Sequence, residues 1–162
     1  VLSRLNESMV KHSQRGIFCT IAYIQGDLTT GRMRCANAGH HPAVVVSPSG
    51  ARFFGEASGP PVGVVSWVTW DVVDGQLAPN ESVLLYTDGI AEARAAVQGT
   101  HTPPPGTPPV EYGIERLMAF ALRNAASSPR ELIEAVNRDV AAFCGPVAPH
   151  DDCTMIALRY LA

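Results

Sequence analysis

The sequence predicts an α+β fold, an antiparallel β-sandwich flanked by helices. Three observations predict it. Residues 17–87 alternate short apolar runs with Gly, Pro, Asn and Asp turn signals. Residues 114–143 then carry apolar side chains at helical spacing. A final apolar run, Thr154-Met155-Ile156-Ala157-Leu158, returns the chain to strand. Strands, long helices and a returning strand make up the pattern of segregated α+β layers. The 162 residues contain no internal repeat and suffice for a single domain with a real core, residues 1–162.

Leu2, Leu5, Met9 and Val10 recur at helical spacing, so the chain opens with a helix ending between Ser13 and Gly16. Residues 17–24 read as a strand apolar on both faces, hence central. Gly26-Asp27-Leu28-Thr29-Thr30-Gly31 is a hairpin turn. The return strand alternates Met33 and Cys35 with Arg32 and Arg34, which leaves one face wet. Ala38-Gly39-His40-His41-Pro42 interrupts it, residues 43–46 resume strand, and Pro48-Ser49-Gly50 turns the chain into residues 51–54. Residues 55–63, with Gly59-Pro60-Pro61 at their middle, suit neither helix nor strand and form a loop near an edge. Residues 67–73 are the next strand, which Leu77-Ala78-Pro79-Asn80-Glu81 turns into Val83-Leu84-Leu85-Tyr86. Residues 17–87 therefore read as an antiparallel meander of five or six strands.

After Gly89 the composition shifts to helix. Residues 90–97 form a short helical piece on which Glu92 and Arg94 pair. Residues 99–109, with five prolines and two glycines, are a solvent-exposed loop of polyproline character that shapes partner access or is an idle insertion. Ile114, Leu117, Met118, Ala121 and Leu122 line one face of the next helix. Ser128-Pro129-Arg130-Glu131 sets a capping Ser, a Pro in the first turn and a Glu three residues after the cap. The helix it starts buries Leu132, Ile133, Val136, Val140 and Phe143, and Gly145-Pro146 ends it.

A net charge of −3 with 46% hydrophobic residues argues against disorder. The arginines are scattered, which argues against nucleic-acid binding. No apolar run approaches the roughly 20 residues a membrane span needs. The chain begins at Val1 without a basic-plus-apolar leader, so it is expected to be a piece of a longer cytoplasmic polypeptide. Cys19, Cys35, Cys144 and Cys153 show no C-x-x-C spacing and read as reduced core thiols.

The chemistry concentrates where the strand ending at Tyr86 stops on Thr87-Asp88-Gly89. Asp151-Asp152 opens the last strand 63 residues after Asp88. If the two strands lie side by side and antiparallel, Asp88 comes next to Asp151 and Asp152. Two carboxylates about 4 Å apart repel by about 4 kcal/mol at an effective dielectric near 20. A hard divalent cation turns that repulsion into binding. The alternative is equally open on the residues alone: Asp88 caps the helix after it, and Asp151 and Asp152 sit in an ordinary turn.

Four motifs together carry a resemblance. Asn37-Ala38-Gly39-His40-His41-Pro42-Ala43, Tyr86-Thr87-Asp88-Gly89 with Glu92-Ala93-Arg94, Tyr112-Gly113-x-Glu115-Arg116-Leu117 and Asp151-Asp152-x-Thr154 follow one another in order. The set resembles the bacterial metal-dependent Ser/Thr phosphatases of the 2C class, in their SpoIIE-like, sigma-factor-regulator branch. The resemblance runs from about Leu2 to Tyr160 and implies the same layered α-β-β-α architecture. It implies Mn²⁺ or Mg²⁺, two ions in a complete domain, activating a water against a phosphoserine or phosphothreonine. Carried over by motif, Asp88 and Asp151 are ligands of one metal, Gly89 lets the backbone approach, and Asp152 stands just outside. His40 is a proton carrier or a hydrogen-bonding brace, and His150 meets a carboxylate or solvent.

The implied partner is a phosphorylated anti-anti-sigma-type regulator, with a sensor domain or a homodimer in the parent protein. One departure matters. The family's Asp-x-x-Gly-His-Gly segment does not occur in this sequence, and we expect it before Val1, so that this chain is the C-terminal portion of the family domain and holds at most one ion. If the segment never existed, the chain is a non-catalytic interaction or sensor module of the same fold. A third reading, an α+β binding domain with a cation for stability alone, also remains. Phosphatases that use an aspartyl-phosphate need Asp-x-Asp at a strand end, whereas Tyr86-Thr87-Asp88 stands here.

Overall fold

The computed structural model describes residues 1–12, 16–95, 110–147 and 151–161. In chain order the elements are α1 (Leu2–His12), β1 (Ile21–Gly26), β2 (Arg32–Ala38), β3 (Ala43–Ser47), β4 (Gly50–Phe54), β5 (Val72–Gln76), β6 (Ser82–Tyr86), α2 (Asp88–Ala91), α3 (Ile114–Arg123), α4 (Pro129–Cys144) and β7 (Met155–Arg159). The strands form a three-stranded sheet in the order β1-β2-β5 and a four-stranded sheet in the order β4-β3-β6-β7. The pairs β1–β2, β2–β5 and β6–β7 are antiparallel. Mixed helices and antiparallel sheets are thus the observed class. The meander is corrected: β5 returns to β2 rather than pairing with β6, and the strands divide between two sheets. By packing, the chain separates into two compact units.

The first unit is Val1–Val45, Phe53–Glu81 and Tyr160–Ala162. Its core gathers Leu2, Ala38, Val62 and Trp70, with Met9, Ile21, Ala36 and Val68 packed against them. β2 alternates as read from sequence, with Met33 and Cys35 buried and Arg32 and Arg34 exposed. Arg34 meets Asp74 across the β2–β5 pair at 3.2 Å.

Four expectations change in this unit. The helix α1 turns Leu2 and Asn6 inward while Leu5 and Val10 are exposed, because Asn6 is sealed between α1 and a loop. Its amide donates to Val65 O and accepts from Gly63 N–H, both at 2.8 Å. The strand expected over 17–24 starts at Ile21 and lies at a sheet edge. Cys19 instead makes an isolated pair with Val62 of the loop. The strand expected over 67–73 begins at Val72, since Trp70 turns into the core and its indole N–H donates to Pro60 O at 2.9 Å. Packing outranks strand propensity there. Cys19 is exposed rather than a core thiol, whereas Cys35 is buried.

The second unit is Val46–Arg52 and Ser82–Arg159. α4 begins with the expected capping box: Ser128 Oγ accepts from Glu131 N–H, and the Glu131 carboxylate accepts from Ser128 N–H. Leu132, Val136, Val140 and Cys144, four residues apart, are buried, and α4 packs on β7 and α3. Burying a leucine such as Leu132 contributes about 1.5–3 kcal/mol. Phe143 is only half-buried: its ring meets Tyr112 edge-on, with the Arg116 guanidinium over both rings. The Arg159 guanidinium donates to Ser82 Oγ, Ala125 O and Ser127 O, tying β7 to β6 and to the α3–α4 connection.

α2 is shorter than the expected 90–97, ending at Ala91. Beyond it the chain forms a narrow ribbon in which Arg94 stands opposite Glu111. The Arg94 partner is therefore Glu111, at 4.0 Å, and not Glu92. Cys153 is exposed rather than a core thiol. The proline-rich loop and His150 lie outside the described residues. No described helix is long and apolar enough to cross a membrane.

Candidate functional site

After Ser82, β6 is apolar to its end: Val83, Leu84 and Tyr86 are buried, so the strand is held on both faces up to its last residue. Beside it, β7 runs antiparallel with Tyr86 opposite Met155. This register delivers the end of β6 and the residues before β7 to one place. Thr87 N–H donates to Thr154 O at 3.1 Å, and Thr87 Oγ1 donates to Asp152 O at 2.9 Å. The backbones of Asp88-Gly89 and Asp151-Asp152 therefore lie against one another.

Gly89 is buried at the closest approach. A Cβ on it would stand 2.5 Å from Asp152 O and 3.3 Å from Asp151 O, so only glycine admits the second backbone. Cys153 adds a tie from the other side, its Sγ 3.2 Å from Gly89 O. Burial pushes the Cys153 thiol up, with the charges of Cys144, Asp151 and Asp152 adding to it, so the thiol stays protonated and donates.

The two sequence readings of Asp88 are decided in part. The residue before α2 is Thr87, its hydroxyl makes no cap bond, and Asp88 is the first helical residue. Asp88 is not the cap. Its Oδ1 accepts from Gly89 N–H at 3.0 Å, and Asp151 Oδ1 accepts from Asp152 N–H at 2.7 Å, which leaves both carboxylates exposed to water. Among the described residues no group of three or more His, Cys, Asp or Glu side chains is arranged to hold a metal ion. The oxygen-only donor set of Asp88 and Asp151 and the cradle at Gly89 fit a hard cation such as Mg²⁺ or Mn²⁺, bound through few protein ligands and several waters. Asp152 turns its carbonyl to Thr87.

His40 lies in the first unit, in the turn after β2. Asn37 shapes that turn: its Oδ1 accepts from His40 N–H at 2.8 Å and its Nδ2 donates to His40 O at 2.9 Å and Gly55 O at 2.6 Å. His40 Nδ1 is 3.1 Å from Thr20 Oγ1. Sequence reasoning quoted Asn37 and Thr87 within motifs but assigned them no role. Their signal is a short polar side chain at the point where a strand stops.

The family model of stage II sporulation protein E (SpoIIE) matches residues 1–161. The chain belongs to the SpoIIE family. Protein IcfG of Synechocystis sp. is 26% identical over 91% of this chain and 22% of its own length. The phosphoserine phosphatase RsbU of Bacillus subtilis is 26% identical over 98% of this chain and 44% of its own length. The chain thus spans under half the length of these curated relatives. Among solved structures, the SiaA PP2C domain of Pseudomonas aeruginosa superposes with a TM-score of 0.80 at 17% identity, covering 98% of this chain and 58% of that one. The phosphatase domain of SpoIIE from Bacillus subtilis, presoaked in manganese, gives 0.66 at 18% identity, covering 99% and 64%. The SpoIIE-family chain therefore has the fold of PP2C phosphatase domains.

Proposed function

We propose that this chain is part of a cytoplasmic, metal-dependent phosphoserine/phosphothreonine protein phosphatase, residues 1–162 serving as one phosphatase-like domain. Its substrate is a phosphorylated regulator of the anti-anti-sigma type. The observation that carries the reading is the approach of Asp88-Gly89 to Asp151-Asp152 at the ends of β6 and β7 in a SpoIIE-family chain. The names of the relatives RsbU and RsbP, both phosphoserine phosphatases, point the same way.

Asp88 and Asp151 would hold Mn²⁺ or Mg²⁺, and Asp152 and Gly89 set the backbone that carries them. When bound, such a cation lowers the pKa of a coordinated water and neutralises phosphate charge. The chain's own contribution is placement: two water-exposed carboxylates, Asp88 just after β6 and Asp151 ahead of β7, on backbone segments that meet at Gly89. His40, held by Asn37 and Thr20, serves as a brace of its turn.

The test compares the intact protein with Asp88→Asn and Asp151→Asn, reading phosphate release with Mn²⁺ from a phosphorylated regulator and from small phosphate esters. Losing a direct ligand is expected to lower turnover beyond the 10–100-fold typical of an outer partner. Faster turnover of small esters than of the phosphoprotein rejects the substrate class. No turnover from any form of the intact protein replaces the enzyme by a non-catalytic module of the same fold.

A further inference from the structure

The β6–β7 register places Ser82 opposite Arg159 and Tyr86 opposite Met155, and its continuation places Thr87 opposite Thr154. Thr87 N–H points straight across at Thr154 O, so this last pair of the ladder is of the kind that ordinarily exchanges two backbone hydrogen bonds. At this last pair only half of the exchange is made by backbone. Thr87 N–H donates to Thr154 O, but Thr154 N–H donates to Thr87 Oγ1, at 3.0 Å. The Thr87 carbonyl is turned away and accepts from Ile90 N–H at 3.1 Å, in the first turn of α2. A hydroxyl has taken the place of its own residue's carbonyl in the ladder. The same hydroxyl sends its proton to Asp152 O at 2.9 Å, so one oxygen spans both peptide units flanking Cys153.

We infer that Thr87 is a positioning residue for the cation. Its hydroxyl lets β6 turn into a helix at Asp88 while the segment carrying Asp151 and Asp152, just ahead of β7, stays in register beside it. An all-backbone pairing would need the Thr87 carbonyl in the sheet, and α2 would lose its first turn. Valine matches the shape and has no hydroxyl. Serine keeps the hydroxyl and loses only the β-branch that restricts its rotamers. The inference rests on Asp88 and Asp151 being cation ligands.

The experiment titrates Mn²⁺ alone into the intact protein by calorimetry, for wild type, Thr87→Val, Thr87→Ser and Asp88→Asn. Amide hydrogen exchange at Thr154 is followed in parallel. Thr87→Val is expected to weaken Mn²⁺ by about tenfold or more, as loss of an outer partner does, and to speed exchange at Thr154. Thr87→Ser is expected to restore most of both. A valine variant that binds Mn²⁺ like wild type overturns the assignment, and so does a serine variant that binds tenfold more weakly. Should the valine variant not fold, the serine result decides alone. If wild type and Asp88→Asn bind Mn²⁺ equally, the ligand reading fails, and the role of Thr87 falls with it.

Discussion

Gly89→Ala puts a methyl group into the tightest backbone approach of the candidate site. The new Cβ would lie 2.5 Å from Asp152 O, 3.0 Å from Asp152 C and 3.3 Å from Asp151 O. These are backbone atoms, so no side-chain rotation relieves the contact. The shortest distance has to open from 2.5 Å to at least the 3.0–3.4 Å range. Metal–ligand distances tolerate only about 0.2 Å, so the displacement is large enough to spoil a site shared by Asp88 and Asp151. Forced overpacking costs about 2–3 kcal/mol at its upper end, while alanine in a helix returns at most about 1 kcal/mol. The net loss of about 1–2 kcal/mol corresponds to a melting temperature lower by about 2–8 °C for a chain of this size. Thermal melts with and without Mn²⁺, and calorimetric titration of Mn²⁺, read both effects. A Gly89→Ala protein that melts with wild type and binds Mn²⁺ equally well refutes the close-approach argument.

Asn6→Leu adds apolar surface yet strands Gly63 N–H and Val65 O, so we expect a loss of about 2 kcal/mol in denaturant unfolding. Leu132→Ala should cost about 2–5 kcal/mol by emptying a fully buried site on α4, measured the same way. Glu131 tests the pH dependence of the α4 cap. The Ser128 hydroxyl, then its backbone N–H, hold the Glu131 carboxyl below the usual glutamate range. A depressed carboxyl stabilises the fold above its unfolded pKa, and that contribution is lost as pH falls through the folded value. Melting curves taken down to about pH 3 should therefore show a shallower acid decline for Glu131→Gln than for wild type.

The two ends of α4 were legible from sequence because their signals are local, although Ile133 and Phe143, expected in the core, are only half-buried. Ser128, Pro129 and Glu131 act within one turn, and Gly145 ends the helix where a chain without Cβ is favoured. β2 and β6 were legible for a similar reason, alternation in one and unbroken apolarity in the other. The start of β5 was not, because Trp70 answers to Pro60 and the Leu2 cluster rather than to its neighbours in sequence. The inward face of α1 was misread because Asn6 looks like a surface residue until its two loop partners, 57 and 59 residues away, are in view.

For the candidate site, the residue types belonged to the sequence: Asp88 and Gly89 at the end of one strand, Asp151 and Asp152 at the start of another, and oxygen donors suited to a hard cation. Their meeting was an inference from assumed pairing. Tertiary structure decided the register that brings them together, the role of Thr87 in replacing its own carbonyl, and the partner of Arg94. The physical reason is range. Helix caps and strand alternation are set by groups a few residues apart, whereas the hydroxyl of Thr87 acts on Asp152 across 65 residues and has no partner until β6 and β7 are paired.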